Sequence, residues 1–315
     1  MTALLKEIPY DQLNSLIRTD GIRLETGPFT THLTTQLTDV INNLILLYAD
    51  HQVSLEPGFS DFHLAIQHSG LLRRWIKPQV NFSFDGISPF RPLPRNQAYA
   101  IFEWGLNWCI ANYAHYYLMI HAAVLERKGN AIILPGVPGA GKSTLCAGLS
   151  LGGWRLFSDE MALIEPQSRQ LISNPRPISL KNDSISLIRA LSPDAVFGMT
   201  IEETTKGTVT HLKSSTSSVQ RSAEQSVPSI IVFPHYTAGA STALAPLTKS
   251  RAFMMLCENA FNYSVLGKSG FSTLKAVIDQ SDCYQFEYSN LNDAVALFNS
   301  LSDELEASVG RSQEA

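Results

Sequence analysis

The sequence predicts an α/β fold built around a phosphate-binding loop, with a smaller N-terminal α+β unit ahead of it. Three observations carry this. Over the last two thirds of the chain, apolar runs of strand length alternate with runs at helical spacing. A motif of the form GxxxxGK[ST] stands between one such strand and one such helix. Residues 1 to about 95 instead show short alternating runs around a single helical stretch, and a Pro-rich segment closes them off. With 315 residues, 44% hydrophobic and 17% charged, the chain can bury a sizeable core, and disorder is ruled out.

Taken in order, IRLET, FHLAIQ and VNFSF alternate as half-buried strands, separated by Gly27-Pro28, Pro57-Gly58 and Asp85-Gly86. Between them TDVINNLILLYADH has the spacing of a helix. The stretch SPFRPLPRNQ, Ser88 to Gln97, marks the boundary, giving units 1–95 and 96–315. Beyond it Ile101, Trp104, Leu106, Trp108, Ile110 and Tyr113 fit a helix that is apolar nearly all round. AAVLE and AIILP then read as strands joined by Arg127-Lys128-Gly129-Asn130. From Trp104 to Leu125 there is no Asp, Glu, Lys or Arg for 22 residues, long enough to span a bilayer. Asn107, Asn112, His115 and His121 would each need a partner in hydrocarbon, so a buried helix running into a buried strand is expected, and no membrane partner. Downstream come a strand SIIVFPHY, helices around Arg251–Asn259 and Phe271–Gln280, a strand CYQFEYS, and a last helix from Asn292 to Leu301. The low-complexity SSTSSVQRSAEQS, Ser214 to Ser226, is expected to be a loop.

Net charge is −4, and Arg73-Arg74 is too small a cluster to track a phosphate backbone, so nucleic acid is not expected as a partner. Cys109, Cys146, Cys257 and Cys283 lie far apart with no CxxC, and read as small hydrophobes in a reducing compartment. The start MTALLKEIPYDQ carries Lys6, Glu7 and Asp11, leaving no apolar segment of signal-peptide length; the cytoplasm is the expected location.

Gly136-Val137-Pro138-Gly139-Ala140-Gly141-Lys142-Ser143 fills the GxxxxGK[ST] pattern after a buried strand and before LCAGLSL. The glycines let backbone N–H groups turn onto phosphate oxygens, and the helix start adds its positive end. Lys142 can reach the β/γ-phosphates as a solvated cation, the Ser143 hydroxyl can bind Mg²⁺, and Thr144 can reach another phosphate. Leu266-Gly-Lys-Ser-Gly270 lacks that spacing and a preceding strand, and reads as a turn between helices. Many nucleotide hydrolases place an Asp at the end of a later strand. Here SIIVF ends in Pro234-His235-Tyr236 instead, and no NKxD guanine motif occurs. The acidic pair Asp159-Glu160 comes 17 positions after Lys142, within WRLFSDEMALIEP. One helix and one returning strand would bring it beside the phosphates, where one carboxylate can hold Mg²⁺ and the other accept a hydroxyl proton.

His121-Ala-Ala-Val-Leu-Glu126, the phosphate loop and Trp154-Arg-Leu-Phe-Ser-Asp159-Glu160 resemble, in order and spacing, the His-containing strand, Walker A loop and paired acidic motif of the HPr kinase/phosphorylase family, with its PEP-carboxykinase-like ATP site. The chain is most similar to the HPr-kinase-related kinases of family A, found in bacterial exosortase and exopolysaccharide gene neighbourhoods. EWGLNW (103–108), NPRPISLK (174–181), TKGTVTHL (205–212) and AFNYSVLGKSGF (260–271) extend the likeness over most of the chain. The resemblance implies a PEP-carboxykinase/HPr-kinase-like P-loop core, ATP and Mg²⁺ as cofactors, Asp159 as general acid/base, Glu160 as metal-binding acid and His121 as active-site histidine. Glu160 stands where HPr kinases usually have a second Asp. Their C-terminal HPr-docking, arginine-rich signature is not evident, so the likeness does not extend to HPr as acceptor.

Arg176, Lys181 and Lys206 are the remaining cations suited to a γ-phosphate or an anionic acceptor. Equally, Arg176 between two prolines could fix a loop, Lys181 could be solvated, and Lys206-Gly207 could be a turn before the strand TVTHL. His211 and His235 read as structural, Trp104 and Trp108 as core, and Glu103 with Asn107 as a polar stripe orienting nearby backbone. In the first unit Asp61, His63, Arg73, Arg74 and Trp75 are suited to recognising an acceptor or partner protein; a purely structural cap is the competing reading. The sequence therefore points to a Mg²⁺-dependent kinase that passes the γ-phosphate of ATP to a hydroxyl acceptor, a protein serine or a small molecule, with room for a homo-oligomer. A regulator that senses nucleotide without an acceptor is the alternative, and a phosphorylase running in reverse would share every residue.

Overall fold

The computed structural model describes residues 2–70, 77–137 and 139–313. Arg73, Arg74, Trp75 and Pro138 lie outside the described residues. The protein is α/β, with mixed sheets and flanking helices.

The first sheet holds β1 (Thr2–Leu4), β2 (Ile22–Thr26), β3 (Phe29–Thr35), β4 (Gln52–Ser54), β5 (Phe62–His68), β6 (Gln79–Phe84) and β7 (Leu93–Pro94), in the order β1-β4-β2-β3-β5-β6-β7. Only the β3/β5 pair is parallel. Burial alternates strictly along β2 and β3, so one face is apolar. Helices α1 (Tyr10–Arg18), α2 (Thr38–Leu47) and α3 (Ala98–Tyr113) cover it. Helix α3 follows the Pro-rich boundary, yet its Phe102, Leu106 and Ile110 belong to the same core as Leu24, Leu33 and Phe82. It is nearly all apolar because it is wrapped: the first sheet takes one side, while Met119 and Met161 of the second sheet join the same cluster.

The second sheet contains β8 (Leu118–Arg127), β9 (Asn130–Pro135), β10 (Arg155–Ser158), β11 (Met161–Ile164) and β12 (Leu171–Ile172). A three-stranded sheet, β13 (Ile178–Lys181), β15 (Gly207–Leu212) and β14 (Ile201–Thr204), lies beside it. The second sheet is completed by β16 (Val227–Tyr236), β17 (Ala243–Pro246) and β18 (Asp282–Tyr288), in the order β12-β11-β8-β9-β16-β18-β17, with β10 also on β8. Strands β9, β16 and β18 are mutually parallel. Along β8, β9 and β16 alternate residues enter two different cores. Ala123, Leu125, Ile132, Leu134, Ile230 and Val232 face one side; Ala122, Val124, Ile133, Ile231 and Phe233 face the other. Burial on both faces is why these strands read as unbroken apolar runs.

Helices α4 (Lys142–Leu151), α5 (Asp183–Leu191) and α10 (Leu291–Gln313) cover the first of these faces, with Leu145, Leu149 and Phe298. The short α6 (Thr216–Gln220) packs by β10, and α7 (Lys249–Asn259), α8 (Tyr263–Leu266) and α9 (Lys268–Gln280) lie on the other face. The segment expected to be a loop, 214–226, is thus corrected to a helix at its centre. The Ser215 hydroxyl accepts the Ser218 N–H at 3.2 Å as its N-cap, and buried Ser218 accepts the Leu156 N–H at 2.9 Å. Its serines are caps and braces. The last helix also runs past Leu301. Leu266 to Gly270 is the junction of α8 and α9, as its spacing suggested. Cys109, Cys146 and Cys283 are buried free thiols and Cys257 is half-buried. Among the described residues no helix is long and apolar enough to cross a membrane.

Candidate phosphate-loop site

Strand β8 organises the site because both of its edges are used at one level. On one edge Ala122 pairs with Pro135, the residue that opens the Gly-rich loop. On the other edge β10 and β11 run one after the other, antiparallel to β8, pairing Ser158 with Val124 and Met161 with His121. Asp159 and Glu160 sit in the bend between them. The bend is closed by Ser158, whose hydroxyl accepts the N–H groups of Glu160 (3.2 Å) and Met161 (3.0 Å). Helix α4 and strand β10 do return the acidic pair to the loop, as the spacing suggested.

The loop itself depends on left-handed glycines. Gly139 has φ 93° and Gly141 has φ 86° immediately before α4. Gly141 is also clamped: the Tyr288 hydroxyl donates to its carbonyl at 2.9 Å, and the Tyr236 N–H donates to the Ala140 carbonyl at 3.2 Å. A Cβ on Gly141 would lie 2.5 Å from the Tyr288 hydroxyl. Gly141→Ala is therefore expected to cost about 2–3 kcal/mol, from the left-handed backbone plus the displaced tyrosine, read as a lowered urea midpoint. An unchanged midpoint would mean that the loop relaxes freely around a side chain.

Lys142 differs from the expected solvated cation. It is buried, 7% exposed, because the first turn of α4 packs under the loop, and its Nζ lies 2.9 Å from His121 Nε2. Burial lowers its pKa, with Glu160 and then Asp159 opposing. His121 Nδ1 stands 3.1 Å from the Glu160 carbonyl oxygen and 3.7 Å from its carboxylate. Burial and then the Lys142 charge push the His121 pKa down, so the ring is neutral near pH 7. The tautomer that satisfies both contacts donates from Nδ1 to the carbonyl and accepts the lysine proton at Nε2.

The two carboxylates are driven apart. Asp159 is 4% exposed, and burial together with the Glu160 charge raises its pKa to about 6, against Lys142, the Ser143 hydroxyl and the Ser179 N–H. Its Oδ2 accepts that Ser179 N–H at 3.1 Å, while its Oδ1 is buried without a partner. For Glu160, burial alone would raise the pKa, but Lys142, His121, Lys181 and Lys206 outweigh it and the carboxyl stays below its usual value. One acid near neutrality beside one held ionised is the arrangement that separates proton transfer from charge binding.

Lys181 ends β13 and Lys206 lies in the β14–β15 turn, both close enough for their charges to act on Glu160. Lys206 is exposed overall, but its ammonium lies 4.8 Å from the centre of the Trp104 ring. Desolvation there, and then Lys181, lower its pKa. The turn that carries it is fixed by Asn182, whose side chain accepts the Thr208 N–H at 3.1 Å.

Arg176 is not brought to the loop. Its guanidinium bonds Glu103 Oε2 at 2.5 Å, the Glu103 carbonyl at 3.1 Å, Asn107 Oδ1 at 2.6 Å and the Tyr48 hydroxyl at 3.3 Å. The Tyr48 and Tyr99 hydroxyls donate to the other Glu103 oxygen. Burial would raise the Glu103 pKa, yet Arg176 outweighs it and the carboxyl is held low. Pro175 and Pro177 fix the segment so that the arginine enters this core, while three residues after it Ser179 meets Asp159. A small cavity lined by Trp104, Asn107, Arg176, Ser179, Asp159 and Glu160 separates the two charge clusters.

In the first unit Asp61 accepts the Thr30 N–H at 2.8 Å, a contact from the start of β5 to β3, and His63 pairs with Asp85 at 3.3 Å. His211 is fully buried against Tyr99, and His235 is exposed. Ser158, Ser179 and Tyr288 support the site without any motif of their own; only Ser158, placed just before an acidic turn, carries a local signal. Among the described residues no three His, Cys, Asp or Glu side chains converge on a common metal position. The chain matches no protein-family model and no curated protein.

Proposed function

We propose that this chain is a Mg²⁺-dependent kinase of the PEP-carboxykinase/HPr-kinase-like type, acting in the cytoplasm and passing the γ-phosphoryl group of ATP to a hydroxyl acceptor. The observation that carries this reading is Asp159: a buried carboxyl with pKa about 6 and one unpartnered oxygen, opposite the Lys142 of a Gly-rich loop. A protein that only senses nucleotide needs the lysine and the loop but no such base.

The residues fit the groups they would receive. Gly136, Val137, Gly139, Ala140 and Gly141 form a loop that is open at Gly139, where a Cβ would meet nothing within 4 Å and a phosphate oxygen would have room to approach the backbone. Ser143 and Glu160 would hold Mg²⁺, which supplies charge neutralisation on the phosphate oxygens. The remaining ligands would then be phosphate oxygens and water, the usual company of this ion. Lys142 moves from His121 to the β/γ-phosphates, and His121 Nε2 is left to accept from the acceptor side. Thr144, the third residue of α4, lies within the helix's first turn, where it could reach the same anions. Asp159 Oδ1 accepts the proton of the acceptor hydroxyl, and Ser179 holds the carboxylate in place. Lys181 and Lys206 stabilise negative charge as it builds on the transferring group. Arg176 has a different part, holding the segment that carries Ser179.

Thermal unfolding with and without MgATP tests the binding half. Wild type is expected to gain about 1 kcal/mol or more when nucleotide exceeds Kd several-fold. Lys142→Ala is expected to fold and to lose that gain. Wild type that is not stabilised at millimolar MgATP would overturn the reading.

A further inference from the structure

The site described so far receives phosphates and says nothing of the rest of a nucleotide. Resting on the phosphate-site reading above, we infer that Tyr236 is the shelf on which a nucleotide base stacks, so the site takes a nucleoside triphosphate in preference to a bare polyphosphate.

The direction follows from strand order. The loop leaves β9, which has β8 on one side and β16 on the other. His121, Asp159 and Glu160 all belong to the β8 side, so the transferable end of a bound triphosphate points there. The chain of phosphates must then lead away, toward β16 and β18. These strands are parallel to β9, and their carboxyl ends lie at the edge where ligands of open α/β sheets bind.

At that edge stand two tyrosines in register, Tyr236 ending β16 and Tyr288 ending β18. They are not equivalent. Tyr288 is buried and commits its hydroxyl to the Gly141 carbonyl, which makes it part of the loop's support. Tyr236 is 49% exposed, and its ring lies at 76° to that of Tyr288, centroids 5.8 Å apart, so it is braced on one side while about half of it stays open to solvent. Its backbone is tied to the loop through Ala140, and its Cβ lies 3.0 Å from where a Gly141 Cβ would be. Val137, 66% exposed on the loop itself, adds apolar surface on the same loop. A half-exposed aromatic held rigidly at a phosphate loop is poorly explained by packing, since its partner ring already fills the core. Phe261, also half-exposed, has its ring 5.8 Å from that of His121 and so stands at the transferable end. A ring face offers every base the same stacking surface, so purine triphosphates should be accepted with little discrimination between bases.

Titration calorimetry with MgATP, MgGTP and magnesium tripolyphosphate tests this on the full chain. Wild type is expected to bind ATP and GTP similarly and both more tightly than tripolyphosphate. Tyr236→Ala is expected to lose about 5- to 100-fold in affinity for the nucleotides while tripolyphosphate is unchanged, and Tyr236→Phe to keep wild-type affinities. Tyr236→Leu serves if the alanine variant does not fold, with the same expected split. Equal binding of ATP and tripolyphosphate by wild type would overturn the base shelf and leave the phosphate site standing. A parallel loss of ATP and tripolyphosphate in folded Tyr236 variants would also overturn it, making the residue a loop support. If wild type binds none of the three, the phosphate-site reading fails and this inference with it.

Discussion

Asp159→Asn should lower phosphoryl transfer by about 10²- to 10⁴-fold while leaving MgATP binding in place, because the change removes a general base and preserves the side chain's shape and its Ser179 contact. Transfer of label from γ-labelled ATP to components of a bacterial cell extract reads the loss, and calorimetry reads the binding. The same substitution should stabilise the free protein, and the sign can be worked out. The folded-state pKa, about 6, lies above the ordinary 3.8, so the folded protein holds this proton more tightly than the unfolded chain does. The stability that protonation contributes is present below pH about 4 and is lost as pH rises through 6. At pH 7 wild type therefore carries the full cost of a buried, ionised carboxylate, on the order of 1–3 kcal/mol for a shift of roughly two units. An amide carries none of it. Melting curves of the two proteins should converge at pH 4 and separate above pH 6, with Asn the more stable. In wild type the acid limb of kcat/KM for transfer, which reports the free protein, should fall with an apparent pKa near 6. Near-normal transfer by the Asn variant would exclude Asp159 as base.

The second large effect is on stability alone. Arg176→Met should cost about 3–5 kcal/mol, because it leaves the Glu103 carboxylate, 3% exposed, with two tyrosine hydroxyls and no counter-charge. Chemical denaturation reads this as a lower midpoint at similar slope. Adding Glu103→Leu to the same chain should restore much of the loss, since a buried ion pair replaced as a pair by apolar groups of similar volume is close to neutral. Were Arg176 instead a phosphate ligand, Arg176→Met would leave the midpoint where it is and weaken MgATP binding.

These two residues also mark where sequence reading succeeds and where it stops. Asp159 could be found because its neighbourhood is local: a motif of fixed spacing, one helix, one returning strand, and an acidic pair at a turn. Strand character at 122–126 and 131–135 was equally plain, since burial on both faces writes an unbroken apolar run. Arg176 is the opposite case. A cation between two prolines looks available, and nothing near it in the chain announces Glu103, 73 positions earlier. The burial of Lys142 is hidden for a related reason, since the GKS pattern marks a lysine for phosphate and carries no sign of His121, 21 positions earlier. Composition reads Ser215 and Ser218 as loop residues, although each makes specific contacts that a composition count cannot register. Nor does any pattern show that β10 and β11 share one edge of β8, which is what sets the acidic bend beside the loop.

The placement of α3 bears on how this chain could be inherited. A recombination breakpoint in the Pro-rich stretch before it looks inviting, because composition changes there. Such an exchange would separate α3 from the sheet that covers Phe102, Leu106 and Ile110, and would deliver Glu103 and Arg176 into surroundings lacking Tyr48. The cut would also pass Asp50, whose carboxylate accepts from Lys213 (2.7 Å) and Thr216 (2.9 Å) of the second unit. Shuffling at that point would yield two halves that each carry an uncovered apolar face. The smallest piece of this protein that selection could move intact, with its acidic bend still braced, spans both sheets, so the two units should travel through evolution together.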